Sequence, residues 1–201
     1  MNQNKLPKKY ELLWNEAKPL LEKARPGDLK HCLEVAFFIL DYKGSIKFDE
    51  DILVPVALMH DIGHCQLLDE HFKYITGPSK VTNGKLVHML IGAKIAKDIL
   101  EKINYPKDKT KEIVDIISIH DGDSIKEWDD EVIFNSVNKR FFHDMDRIGA
   151  LTVSRLESIK KVYKDNEELI QVLTKIKNKL FFEEFKQTAD NLLKKIRLEL
   201  K

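Results

Sequence analysis

Cysteine is scarce: Cys32 and Cys65 are the only two in 201 residues. Two isolated thiols build neither a disulfide framework nor a Cys-x-x-Cys zinc knuckle, and they read as small buried hydrophobes in a reducing compartment. Long apolar runs are missing as well. No stretch approaches the roughly eighteen residues of a membrane span, and MNQNKLPKKYELLW lacks the apolar core of a signal peptide, so a cytoplasmic location and no membrane partner are expected. An excess of either charge is also absent. With 34 Lys and Arg against 33 Asp and Glu the formal net charge is +1, which gives no general attraction to polymeric nucleic acid. Neither a glycine-rich phosphate loop of Walker or dinucleotide type nor a Gly-x-Ser-x-Gly elbow occurs, which sets aside three large enzyme classes.

What is present is helical periodicity. A hydrophobic content of 43% with 33% charged residues describes a soluble globular protein with enough chain for a core. The pattern predicts helices over Tyr10–Ala24, from Asp28 as N-cap to near Gly44, and from about Asp51 to Gly63, with Pro55 in or near the first turn. An irregular stretch, 66–85, carries Gly77-Pro78 and Asn83-Gly84 as turn signals and reads as a lid or specificity wall. Further helices follow from Leu86, from Lys109, over 130–164 in one or two pieces, and over 166–201 in two. The expected fold class is all-α: a single domain over 1–201, with a core at about 25–160 and C-terminal helices over 161–201. The charged C-terminal helices read as solvated surface helices.

Seven histidines stand at positions 31, 60, 64, 71, 88, 120 and 143. His31 falls in the first turn of a predicted helix, His88 opens one, His120 ends one, and His60-Asp61 closes an apolar helix just before Gly63. Helix ends from separate segments can converge on one pocket. Neighbours on a continuous helix point about 100° apart, so His60 and Asp61 share a target only where the helix breaks, which Gly63 permits. Imidazole nitrogen with carboxylate oxygen suits Mn, Fe, Co, Ni or Zn, and the two oxygens of Asp61 could bridge two ions. His71 and His143 carry no motif and read as surface or capping residues.

Three segments carry a resemblance. ALMHDIGH at 57–64 resembles the signature of the HD superfamily, DLKHCLEVA at 28–36 resembles its first ligand segment, and HDMDRIGAL at 143–151 its closing one. The order His, His-Asp, Asp falls on His31, His60, Asp61 and Asp146 as metal ligands, across roughly residues 25–160. Asp144 competes for the last place; Asp146 is preferred because it directly precedes Arg147. HMLIGAKIA at 88–96 and IISIHDG, ending at Gly122, are similar to segments that hold a second ion in dinuclear members, which adds His88 and His120. Where several of those members have a second histidine, this chain has Asp121.

The resemblance implies an all-helical metal-dependent phosphohydrolase with one or two divalent transition-metal ions (Mn, Fe, Co, Ni or Zn) activating a water. Asp61 and His64 are the catalytic candidates, while Arg147 and Asp121 are candidates for substrate contact, with Lys73, Lys80 and Lys85 as further sources of positive charge. The substrate class it implies is a nucleotide or small phosphorylated metabolite, and a homodimer stays open. Gln66-Leu67-Leu68 replaces the acidic pair of alarmone hydrolases, and the Gly-Tyr-Pro motif of cyclic-dinucleotide phosphodiesterases is missing. A di-iron oxygenase and a non-catalytic nucleotide-sensing module remain the alternatives.

Overall fold

A computed structural model describes residues 5–67, 79–152, 155, 156, 160 and 165–200, positions 79–83 by backbone alone. The all-α expectation holds: among the described residues every regular element is helical. In chain order these are α1 (Lys8–Leu21), α2 (Asp28–Asp41), α3 (Glu50–Met59), a 3₁₀ turn (Ile62–Gln66) and α4 (Ser79–Lys102). They continue with α5 (Lys107–Ile117), a second 3₁₀ turn (Gly122–Ser124), α6 (Asp130–Ile133), α7 (Val137–Ala150), α8 (Asn166–Asn178) and α9 (Glu183–Glu199). None of the described helices is long and apolar enough to cross a membrane.

α3 is the axis of the molecule. Every residue from Ile52 to Met59 is buried, because its sequence is apolar on all sides and has no face to give to water. It packs against α1, α2, α5 and α7. The surrounding helices are amphipathic and turn one stripe inward: Tyr10, Leu13, Ala17 and Leu21 in α1, and Ile113, Ile116 and Ile117 in α5. α8 and α9 pair with each other, and α9 also lies on α7, burying Phe185, Ala189, Leu193 and Ile196. Tyr42, Phe48, Phe141 and Phe185 join α2, α7 and α9 in one aromatic cluster, with Phe48 stacked on Phe141 at 4.1 Å.

Several local expectations are corrected. Pro55 is the sixth residue of α3, well past the first turn. A proline there cannot donate to the carbonyl four residues back, which is that of Asp51. The Tyr105 hydroxyl donates to this carbonyl at 2.6 Å and supplies the missing bond, so the proline is tolerated inside a buried helix. Asp28 is the first residue of α2 and not its N-cap. That place is taken by Gly27 at φ 98°, a left-handed conformation suited to glycine. α4 begins at Ser79, so Asn83-Gly84 lies within a helix and residues 79–85 belong to no loop. One interior glycine costs about 1 kcal/mol, less than the packing of α4 on its neighbours returns. The rest of the predicted lid, 68–78 with His71, Lys73 and Gly77-Pro78, lies outside the described residues.

An ion cluster ties the start of α3 to α1 and α5. Lys9 Nζ is 2.7 Å from Asp51 Oδ1, and Lys109 Nζ is 2.9 Å from Asp51 Oδ2. The bonds from Lys9 and then Lys109 hold the Asp51 carboxyl down at about 2. A depressed carboxylate adds stability above its unfolded pKa of about 4, and that stability disappears as the pH falls through the folded value. Two outcomes are expected in chemical denaturation. Tyr105→Phe, which leaves the Asp51 carbonyl unpaired, lowers stability by about 1–2 kcal/mol. The advantage of the wild-type protein over Asp51→Asn shrinks as the pH is taken from about 5 to about 2.

Candidate metal centre

Five elements deliver the site. His31 comes from the first turn of α2, His60 and Asp61 from the end of α3, His88 from α4, His120 from just beyond α5, and Asp146 from α7. All six side chains are buried. His88 does not open its helix as expected; it lies ten residues in, because α4 starts at Ser79.

The reason they meet lies partly in Gly63. Its expected task was to end α3, but α3 already ends at Met59, and His60 and Asp61 lead into the 3₁₀ turn. Gly63 instead lets that turn touch the backbone of α4. A Cβ built on it would lie 2.0 Å from the His88 carbonyl oxygen and 2.7 Å from the Gly92 nitrogen. The close approach sets His88 against Asp61 and stacks its ring on that of His64, with centroids 4.2 Å apart. Gly149 does the same for His31, since a Cβ there would lie 2.8 Å from the ring at Cε1.

Asp61 divides the histidines into two sets. Its Oδ2 lies 3.6 Å from His60 Nε2, while its Oδ1 lies 3.8 Å from His88 Nε2 and 3.9 Å from His120 Nε2. Three groups of atoms close enough to hold an ion share Asp61: His31–His60–Asp61 and Asp61–His88–His120, each with two histidines, and Asp28–Asp61–His64. Asp146 joins the first: its Oδ1 is 2.8 Å from His31 Nε2 and 3.3 Å from His60 Nε2. Asp144, the competing aspartate, faces away. It accepts the backbone N–H groups of Phe181 and Phe182, both at 2.9 Å, and so fastens the start of α9 to α7.

The tautomers show what this arrangement lacks. A carbonyl oxygen only accepts, so Nδ1 carries the hydrogen in His60 (to Ala57 O, 3.0 Å), in His88 (to Gly84 O, 3.3 Å) and in His120 (to Ile117 O, 2.8 Å). In the neutral form each ring turns an Nε2 lone pair into the cluster. Those of His88 and His120 face each other at 3.2 Å, and His60 Nε2, buried without a hydrogen bond, faces two carboxylates. Lone pairs and carboxylates converging in a buried space are compatible only around a positive charge, and Nδ1–H bonded to a backbone carbonyl is the usual support of a metal-ligating histidine. The residues fit a divalent cation.

Titration behaviour shows the same demand for positive charge, met in the absence of an ion by a proton on His60. Burial alone would make Asp61 and Asp146 neutral acids. Instead His60, His120, His64 and Arg25 hold Asp61 well below the usual carboxylate range, and His31 and His60 do so for Asp146. Burial also works against a charged His60, yet Cys32, Asp61 and Asp146 raise it well above the ordinary value. His88 is pushed down to about 3 by burial and by His120 and His64, so it is a neutral donor at physiological pH.

Around this centre the expected roles shift. Arg147 is buried and spends its guanidinium on three carboxylates: Nη1 on Asp146 Oδ2 at 2.7 Å, and Nη2 on Asp121 Oδ1 at 2.9 Å and Asp123 Oδ1 at 2.6 Å. It orients Asp146, so the phosphate contact expected of it would require breaking these pairs. Asp121 is shared between Arg147 and Lys85, and Lys85 also donates to Ser124 Oγ at 2.7 Å. His143 is not at the surface: it is buried, with Nδ1 on Asp144 Oδ1 at 2.9 Å. Neither nitrogen of His64 has a hydrogen-bond partner among the described residues, and its Nε2 lies 3.5 Å from Asp61 Oδ1. Lys80 belongs to α4 by its backbone only, and Lys73 lies outside the described residues. Cys32 is buried against the His60 ring and Cys65 is half-buried; both are free thiols.

Sequence reasoning missed Arg25 and the buried carboxylates of Asp28 and Asp123. Arg25 Nη2 lies 3.2 Å from Asp61 Oδ2, and its Nε bonds Asp28 Oδ2 at 3.1 Å. Nothing in spacing marks an arginine in a Pro-Gly turn as a neighbour of a residue 36 positions away. Asp123 has a weak signal, lying two residues after Asp121 in the same turn.

A family model described as HD domain matches residues 28–184 of the chain. No curated protein and no solved structure matches it.

Two glycine substitutions test the backbone contact. Gly63→Ala drives a methyl into the α4 backbone and is expected to cost roughly 2–3 kcal/mol in chemical denaturation. Gly92→Ala meets its nearest atoms at 3.3 and 3.4 Å. It also gains nearly 1 kcal/mol of helix propensity, so its net effect should stay within about 1 kcal/mol.

Proposed function

The chain belongs to the HD domain family, whose members are mostly metal-dependent hydrolases, and from that premise we propose that it is a phosphohydrolase acting on a nucleotide or small phosphorylated metabolite. The observation that carries this reading is the sharing of Asp61 between two histidine sets. One carboxylate turned to two places suits a two-ion centre, which can stabilise both the attacking and the leaving oxygen of an in-line displacement at phosphorus.

In this reading His31, His60, Asp61 and Asp146 would hold a first divalent ion, and His88 and His120 with Asp61 would hold a second. Such ions lower the pKa of a water and screen the charge on the phosphoryl oxygens. The protein's own residues do the rest. The backbone bonds to Nδ1 of His60, His88 and His120 fix each ring with Nε2 inward. Arg147 fixes Asp146 from behind, and the apolar wall of α3 keeps bulk water away from the ligands' other side. His64, stacked on His88 and without a hydrogen-bond partner among the described residues, is placed to donate a proton to a phosphoryl or leaving-group oxygen. Asp121 Oδ2, 3.9 Å from His88 Nε2, stands where it can orient water at the second position.

The test uses the full chain purified without chelator. Its transition-metal content is measured, and turnover of phosphomonoesters, phosphodiesters and nucleotides is screened with Mn, Co, Ni and Fe. Two ions per chain are expected, with one retained in His88→Ala. Phosphate release should fall by more than about 100-fold in His60→Ala and Asp61→Ala, since loss of a direct ligand exceeds the usual effect of a supporting residue. Turnover that survives both substitutions would overturn the assignment.

A further inference from the structure

Building on that reading, we propose that Arg25 forms a phosphoryl-binding subsite beside Asp61. The turn between α1 and α2 holds this side chain by its inner edge. The Arg25 backbone N–H and Nε both donate to Asp28 Oδ2 at 3.1 Å, and Nη2 reaches Asp28 Oδ1 at 3.2 Å. Asp28 is fully buried and cannot swing away. The same Nη2 lies 3.2 Å from Asp61 Oδ2, the oxygen turned toward His60. The guanidinium therefore sits at the rim of the cation centre with its orientation already set.

Among the described residues, the other cations near the centre are committed. Arg147 is 11% exposed and bound to three carboxylates, while Lys85 is shared between Ser124 and Asp121. Arg155, 18% exposed, points at Asp28 from the other side at 3.4 Å. Arg25 differs in being 53% exposed while touching the carboxylate common to both histidine sets. Two guanidiniums thus share the charge of Asp28, and Asp61 balances the second of them only while its carboxylate is not taken up by cations. With cations on Asp61, the outer edge of Arg25 faces like charge, and an anion lying between them satisfies both. A phosphoryl group matches in charge and in the planar two-point geometry of the guanidinium fork. The subsite then presents the phosphorus to the centre, with Asp28 keeping Arg25 in place.

The experiment measures binding of inorganic phosphate by titration calorimetry to the metal-loaded full chain and to Arg25→Ala and Arg25→Lys. Metal per chain and thermal midpoint are read on the same samples. Arg25→Ala is expected to bind phosphate about 10- to 100-fold more weakly, the range for losing a charge-assisted hydrogen-bonded pair, with metal content unchanged. Arg25→Lys keeps the charge but loses the fork and is expected to be several-fold weaker. Should Arg25→Ala not fold, Arg25→Lys decides. Phosphate affinity unchanged by the substitutions, a loss that follows a proportionate loss of metal, or no phosphate binding by the wild-type protein would each overturn the subsite. Arg25-dependent phosphate binding without hydrolysis of any ester removes the hydrolase reading and keeps the subsite. His60-dependent hydrolysis with phosphate affinity indifferent to Arg25 does the reverse.

Discussion

With no side chain at Gly63, the turn that follows α3 comes to rest directly on the backbone of α4. Most of the histidine cluster depends on that contact. It carries Asp61 and His64 up to His88, and the length of α3 behind it is clamped by α1, α2, α5 and α7. Because α3 is buried on every side, its end has little freedom to shift. The carboxylate of Asp61 is thereby held where one oxygen meets His60 and the other meets His88 and His120. A single methyl group at Gly63 would test the whole construction, since the atom it would strike is a backbone carbonyl that cannot rotate out of the way.

Electrostatics then turns a packing arrangement into a chemical one. Burying carboxylates and imidazoles together is costly unless charge is balanced inside the site. Three imidazoles have their outer nitrogens fixed to backbone carbonyls, so none can satisfy its inner lone pair by flipping. The balance has to come from positive charge inside the cluster, a bound cation or a proton on His60. Arg147 neutralises the carboxylates on the far side of Asp146, and Arg25 with Arg155 does so around Asp28. The centre is ringed by guanidiniums that each have a carboxylate, and it keeps inside it a set of donors that do not have one.

The C-terminal helices belong to this account through two aspartates. Asp144 receives the amides of Phe181 and Phe182, while Lys179 reaches Asp123 at 3.0 Å, and Asp123 pairs with Arg147 at 2.6 Å. The join between α8 and α9 is thus connected through polar contacts to the arginine behind Asp146. The family match, which extends to Glu184, takes in α8 and this join, whereas the sequence motifs stop near Leu151.

Much of the outline was legible from residue order alone. Apolar periodicity gave the helices, and His31, His60-Asp61, His88, His120 and Asp146 are indeed the residues that converge. That succeeded because periodicity reflects which face is buried, and because short motifs keep a donor and its local backbone together. Tertiary structure decided what spacing cannot express. Pro55 was tolerated deep in α3 because Tyr105, fifty positions later, supplies a hydrogen bond. Gly84 stayed helical because packing outweighs the cost of one glycine. Asp146 was preferred over Asp144 only for its place before Arg147, and it is the helix rotation of α7 that sends Asp144 to the amides of α9 and Asp146 to His31 and His60. Arg25 and Asp28 were invisible as site residues for the same reason: their meaning lies in what comes near them in space, and contacts between distant segments are created only when the core closes.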